Sequence, residues 1–170
     1  MLNEKVSALI NEQVNKEFYS AYLYLSFANF FVEQGLNGFA NWYQVQAQEE
    51  RDHAMLMMKY LQNNDAMVTL EAIAKPDVAT EDILTVLKAG LSHEQYVTSS
   101  INTIYESASE VKDFRTLQFL DWFIKEQGEE ETNASDLIKK MQVFGYDAKG
   151  LYMLDQELGA RTYVAPSLVL

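Results

Sequence analysis

A chain of 170 residues and 19.5 kDa fits one domain with room for a continuous core, and its 48% hydrophobic content excludes a disordered chain. Its 13 basic and 25 acidic residues leave a formal charge of −12 and a pI near 4.5. That balance argues against nucleic acid as a partner, because a phosphate backbone rewards Lys and Arg, and it permits a cation-handling protein. The absence of cysteine excludes disulfides and thiolate metal sites, and is compatible with a cytoplasmic location. The N-terminus, MLNEKVSALINEQ, carries charges inside its first apolar stretch and lacks a signal-peptide core. The longest mostly apolar run, Ala21 to Val32, is broken by Ser26 and Asn29 and is too short to span a bilayer. A soluble cytoplasmic protein with no membrane partner is expected.

Only two prolines, Pro76 and Pro166, and seven glycines punctuate the chain, which favours long helices. The first is expected from about Asn3 to Glu33, with an apolar stripe at Val14, Phe18, Ala21, Leu25 and Ala28. Gly35 suits its C-terminal cap. The second is expected from about Phe39 to Asn63, with Trp42, Val45, Leu56, Tyr60 and Leu61 inward. The segment Ala66 to Ala79, with Lys75-Pro76-Asp77, is long for a connection between helical neighbours and suits a crossover from one end of a bundle to the other. Thr80-Glu-Asp reads as an N-cap with acidic first-turn residues for a third helix ending near Ser109. Its inward residues are Leu84, Leu87, Leu91, Ile101 and Ile104. Glu110 to Asp113 form a turn, a fourth helix runs to Phe144 before Gly145, and a short fifth covers Lys149 to Leu158. The expected fold is all-α: a four-helix bundle of two antiparallel pairs, one long crossover between helices 2 and 3, and a short fifth helix. Residues 1–158 form the domain, and 159–170 a tail without helical pattern.

Glu17 and Glu50-x-x-His53 recur 77 residues later as Glu94 and Gln127-x-x-Glu130, each lone Glu preceding its pair by 33 residues. Little else carries over at that offset beyond Tyr19 to Tyr96 and Glu49 to Glu126, so what repeats is a set of ligand types. A lone Glu on each of two helices, facing an i,i+3 pair on each of the other two, is how helical bundles hold a two-metal carboxylate centre. Heights agree. Glu94 lies 16 residues before Glu110, while Gln127 and Glu130 lie 14 and 17 after Asp113. At the helical rise both sides stand roughly 21–26 Å from the turn. Facing also agrees, since Glu17, Glu50, Glu94 and Glu130 continue apolar stripes, where an unpaired carboxylate costs several kcal/mol or takes up a proton. Two divalent ions would neutralise the four. Carboxylate oxygens with one imidazole suit iron, manganese or cobalt, with zinc a competitor, and iron with oxygen chemistry fits best.

The motifs that carry these residues are Asn11-Glu-Gln-Val-Asn-Lys-Glu17, Gln46-Ala-Gln-Glu49-Glu50-Arg-Asp-His53, His93-Glu94-Gln95, Trp122-Phe-Ile-Lys-Glu126-Gln127-Gly-Glu129-Glu130-Glu131 and Gly150-Leu-Tyr. In them the chain resembles the bacterial non-haem ferritins over essentially residues 1–158. The resemblance implies the ferritin-like fold, assembly through the fifth helix into a hollow shell of 24 subunits, and storage of iron. It implies a two-iron ferroxidase centre that oxidises Fe(II) with O2 or H2O2. Glu17, Glu50 and His53 would hold one iron and Glu50, Glu94 and Glu130 the other, with Gln127 beside the second. Glu49, Glu126 and Glu129, with Glu130, match the family's third iron site, and Tyr24 a family tyrosine close to the irons with a hydrogen-bonding and redox role. Bacterioferritins and rubrerythrins carry a second Glu-x-x-His where this chain has Gln127 and Glu130, and bacterioferritins a haem-ligating Met where it has Arg51, so haem is not expected.

Three further expectations follow. Trp122 either assists the centre or packs in the core. His93, about 100° around the helix from Glu94, faces solvent. The tail Thr162 to Leu170 either packs near pores of the shell or is disordered. The rival readings are a rubrerythrin-like peroxidase or other di-iron oxidase, and a helical scaffold whose acids are merely solvated.

Overall fold

The structure, a computed structural model, describes residues 2–78 and 81–170, so the Thr80 cap expected above lies outside the described residues. Helix α1 spans Glu4–Glu33, capped by the Asn3 side chain, which accepts from the amides of Lys5 and Val6. Helix α2 spans Asn37–Asn63, α3 Ile83–Glu110 with Asp82 as N-cap, α4 Phe114–Phe144 with Asp113 as N-cap, and α5 Ala148–Leu158 with Asp147 as N-cap. Among the described residues these five helices and their connections make up the fold, with α1 against α2, α3 against α4, and α1 against α3. No Cα of α2 comes within 8 Å of one in α4, which leaves a wider seam there.

Three helix ends share one geometry. At the end of α1 the amide of Leu36 donates to Phe31 O and that of Gly35 to Val32 O, with Gly35 at φ 74°. The same reverse pairing ends α2, with Asp65 at φ 57°, and α3, with Lys112 at φ 57°. This satisfies carbonyls that a helix end otherwise leaves open. The N-terminus of α2 lacks its own side-chain cap; Asp155 of α5 supplies one, accepting from the amides of Gly38 (2.7 Å) and Phe39 (3.0 Å).

The crossover runs the length of the bundle pinned to α1. Asn11 accepts from the amide of Thr69 and donates to its carbonyl, and Asn15 accepts from the amide of Glu71. Ala66 and Val68 pack at one end and Val78 at the other.

Two apolar clusters fill the interior. One gathers Phe27, Phe31, Phe39, Tyr43, Leu87 and Leu137; the other Ile10, Met57, Leu61, Ile101, Phe119 and Phe123. Chain order places Glu17, Glu50, His53, Glu94, Gln127 and Glu130 between the clusters on each of the four long helices, so the core is split by a polar layer. Leu25 departs from the expected stripe and stands half exposed. Because α1 packs on both α2 and α3, its buried face is set by Leu23, Tyr24, Phe27 and Phe31 instead.

Candidate metal centre

Each of the four long helices delivers its part of the polar layer from mid-helix, where backbone groups are already bonded and only side chains are free to interact. Glu17, Glu50, His53, Glu94, Gln127 and Glu130 are each at most 5% exposed. Burial of that many acidic groups requires compensation from donors, protons or cations.

The first half of the site is tight. Glu17, Glu50 and His53 each present a ligating atom within 4.8 Å of the others. Nε2 of Gln13 donates to Oε1 of Glu17 at 2.8 Å, and Nδ1 of His53 lies 3.4 Å from Oε2 of Glu50. Oε2 of Glu17 and Oε2 of Glu50 have no hydrogen-bond donor in the protein. Two donorless buried carboxylate oxygens converging beside an imidazole fit a divalent cation of the carboxylate-and-nitrogen class. Trp122 and Phe123 meet the His53 ring edge-on at 5.5 and 5.8 Å, so Trp122 touches the site as packing that fixes the imidazole.

The second half is knit by hydrogen bonds. Glu94 and Glu130 line a cavity of about 20 Å³ with Tyr24, Tyr43, Gln46 and Gly90. The Tyr24 hydroxyl donates to Oε1 of Glu94, and Nε2 of Gln127 donates to Oε2 of Glu94 at 3.2 Å. Nε2 of Gln46 donates both to Oε1 of Glu50 (3.0 Å) and to Oε2 of Glu130 (2.7 Å). Glu130 stands close enough for its charge to raise the proton affinity of Glu94, but neither joins the three-residue ligand cluster.

Protons carry part of the compensation. Burial, reinforced by the Glu50 charge, pushes Glu17 and Glu130 from 4.5 up to about 8, and pushes Glu94 well above its ordinary value. Burial alone would raise Glu50 too, but the His53 imidazolium 3.4 Å away, with the Gln46 donor, holds it below 4.5. Burial opposes the charge on His53, yet the Glu50 carboxylate beside it and the further carboxylates of Glu17 and Glu130 lift it to about 10. Burial and the Glu94 charge hold Tyr24 in its phenol form.

The outer carboxylates are arranged differently. Glu49 is ion-paired with Arg161 at 2.5 Å, and Glu129 with Lys125 at 3.3 Å. Glu126 is half-buried and raised by that burial, with Glu49 near enough to feel its charge. His93 contradicts its expected exposure. It is mostly buried between α1 and α3, 2.7 Å from the Ser20 hydroxyl and in ring contact with Tyr19, Tyr24 and Tyr96, because the close α1–α3 approach covers that face. The tail is extended along the α2–α4 seam: Tyr163 donates to Asp52, Trp122 Nε1 donates to Ser167 Oγ at 3.0 Å, and Leu168 packs on the second cluster.

Sequence reading passed over Gln13, Gln46 and Arg161. Both glutamines precede a site glutamate by four residues, one helical turn, and that spacing was the available signal. For Arg161 the sequence held none.

Comparison with known proteins places this geometry among relatives. The Ferritin-like domain family matches residues 7–144. A "Bacterial non-heme ferritin" of Campylobacter jejuni is 38% identical over 156 residues, covering 92% of this chain and 93% of its own length. A "Probable bacterial non-heme ferritin-like protein" of Haemophilus influenzae is 36% identical over 159 residues, covering 94% and 96%. Among solved structures, an open-pore ferritin from the hyperthermophilic archaeon Archaeoglobus fulgidus superimposes with a TM-score of 0.92 at 41% identity, covering 95% of this chain and 99% of that one. A form of the same ferritin engineered to be closed gives 0.93 at 41% identity, covering 96% and 100%. Among the described residues, no helix is long and apolar enough to cross a membrane.

Proposed function

We propose, from the premise that this chain belongs to the ferritin family, that it stores iron: it oxidises Fe(II) with O2 or H2O2 at the buried polar layer and deposits ferric mineral inside a multisubunit shell. The observation that carries this reading is the pair of donorless oxygens, Glu17 Oε2 and Glu50 Oε2, facing His53 in a buried polar layer between two apolar clusters.

Iron is the substrate, and the redox chemistry is its own. The protein supplies geometry and charge. Glu17, Glu50 and His53 take one ion; Glu50, Glu94 and Glu130 take the other, with Glu50 between them. Arrival of two divalent ions displaces the protons held on Glu17, Glu94, Glu130 and His53, which keeps the layer neutral before and after loading. Tyr24 and Gln127 donate one to each oxygen of Glu94 and fix the orientation of its carboxylate. Tyr24 lies one hydrogen bond from Glu94, so in giving an electron to the O2 or H2O2 under reduction it would pass its phenol proton to that carboxylate. The lack of a second imidazole leaves the second ion with oxygen donors only, suited to onward passage. The α5 helix serves assembly, and the location is the cytoplasm.

The test is anaerobic Fe(II) loading of metal-free protein, then exposure to air with absorbance and particle sizing. Rapid oxidation of about two irons per chain, then hundreds retained in a large soluble particle, supports storage. Oxidation stopping at about two per chain in a small oligomer turns the reading to a di-iron oxidase. Normal rapid oxidation by assembled Glu50→Ala protein would remove the site from the mechanism.

A further inference from the structure

We infer that Arg161, from the tail beyond α5, is a positioning residue of the metal layer. It acts as a built-in cation that occupies Glu49 and fixes the Gln46 amide so that its NH2 group faces Glu50 and Glu130. This rests on the reading of the layer as a metal site.

Arg161 is 16% exposed and reaches across to α2. Its Nη1 donates to the carbonyl of Trp42 (3.2 Å) and to Oε1 of Gln46 (2.9 Å), and its Nη2 to Oε2 of Glu49 at 2.5 Å. The guanidinium lies over the Trp42 ring, 4.1 Å from its centroid, and Asn41 holds the Arg161 carbonyl at 2.9 Å. The planar fork of arginine matches this set of three acceptors and an aromatic face.

The chemistry of Gln46 follows from that contact. A glutamine amide has one accepting end and one donating end, and guanidinium has donors only. The atom facing Arg161 must therefore be the oxygen, which leaves the NH2 facing inward, where it bonds Glu50 and Glu130 together. Without Arg161 the outward oxygen loses its donor, and only the acceptors Glu50 and Glu130 still hold the amide in this orientation. The tie between Glu130 and Glu50 across the α2–α4 seam then loosens.

The second consequence concerns Glu49. It adjoins Glu50 in sequence and lies near enough to feel the charges of Glu50 and Glu126, so a third cation bound beside the layer would draw on it. That position is already taken by Arg161. The chain should hold two divalent ions tightly and meet a third only by displacing an arginine.

The experiment is anaerobic titration of assembled, metal-free protein with Co²⁺ alone, followed by calorimetry and by the visible bands of bound cobalt. Wild type is expected to bind two ions per chain, and Arg161→Ala to gain a third while its second weakens about tenfold or more. Arg161→Lys keeps the charge but not the fork: no third ion, yet a weakened second. Gln46→Leu should weaken the second ion alike without adding a third. The tail remains anchored in all of them through Tyr163, Ser167 and Leu168, and melting curves verify the fold. Folded Arg161→Ala protein with wild-type stoichiometry, affinities and cobalt bands overturns the inference and leaves the storage reading intact. Wild type that binds no Co²⁺ overturns both.

Discussion

Gln46 on α2 and Glu130 on α4 are joined by a 2.7 Å hydrogen bond across a seam where no Cα of either helix comes within 8 Å of the other. The bundle is thus closed at its waist by a polar side-chain link, with apolar packing above and below it. Gln46→Leu keeps the volume but removes the donor shared by Glu50 and Glu130. Leaving such groups unsatisfied costs about 1–3 kcal/mol, so the metal-free variant should melt lower than wild type. Divalent metal should recover part of the loss, because Glu130 then has a cation to face. Differential scanning calorimetry with and without Zn²⁺ measures both, and an unchanged melting temperature of the metal-free variant would contradict the link.

The pH dependence of the metal-free protein follows from the direction of its shifts. Glu17 and Glu130 rise from 4.5 to about 8, and His53 from 6.5 to about 10. A raised group contributes stability that is complete below its unfolded value and is lost as pH climbs through its folded value. Stability should therefore fall between about pH 4.5 and about pH 10. Glu50, held low, acts in the opposite sense and costs stability only in acid. Bound metal takes the place of the protons and should flatten the alkaline decline. Melting curves at about pH 6 and pH 9, with and without Zn²⁺, test this; a metal-free protein more stable at the higher pH would refute the protonation scheme.

Proton release on loading is the direct counterpart. At neutral pH, Glu17, Glu94, Glu130 and His53 enter the reaction protonated and must leave it as ligands. Anaerobic addition of Co²⁺ in weak buffer with an indicator dye should release close to one proton from each. Glu130→Gln should release about one fewer. Release unaffected by that substitution would mean that Glu130 is already ionised.

How much of this could be read from the chain depended on whether the signal was local. The helices were legible because long apolar periodicities ran without interruption, and Gly35 marked its helix end because glycine is at home at positive φ. Asp65 and Lys112 end their helices in the same conformation but carry no such mark. The repeated glutamate spacing exposed the carboxylates, since a periodic core position is a one-dimensional property. His93 was misplaced because its environment depends on how closely α1 approaches α3. Arg161 could not be found at all: its partners lie 112 to 119 residues away, and the tail that carries it has no pattern to read.

Lys112 offers a stabilising change. It sits at φ 57° where α3 turns into α4, a conformation that costs a residue with a Cβ roughly 1–2 kcal/mol. Glycine removes that cost and adds about 0.4–1 kcal/mol of unfolded-chain entropy, so Lys112→Gly should gain on the order of 0.5–1 kcal/mol. The reverse pairing of Lys112 and Asp113 with Ser109 and Ala108 uses backbone atoms only and survives the change. A higher melting temperature at unaltered metal stoichiometry is expected; a lower one would show that the lysine side chain contributes more than its backbone costs.

Gly38 tests the seat of α5. A Cβ at this position would overlap the carbonyl oxygen of Asp155, a backbone atom that cannot swing aside. Gly38→Ala must therefore push α5 away from the start of α2, and with it the Asp155 carboxylate that accepts from the amides of Gly38 and Phe39. Overpacking and loss of the cap together should cost about 2–4 kcal/mol. Asp155→Asn keeps the side-chain oxygen and the space, and should cost far less. The two variants separate steric seating from capping, with thermal melts as the readout. If Gly38→Ala melts like wild type, α5 is free to shift without loss. The close approach would then be incidental to the fold.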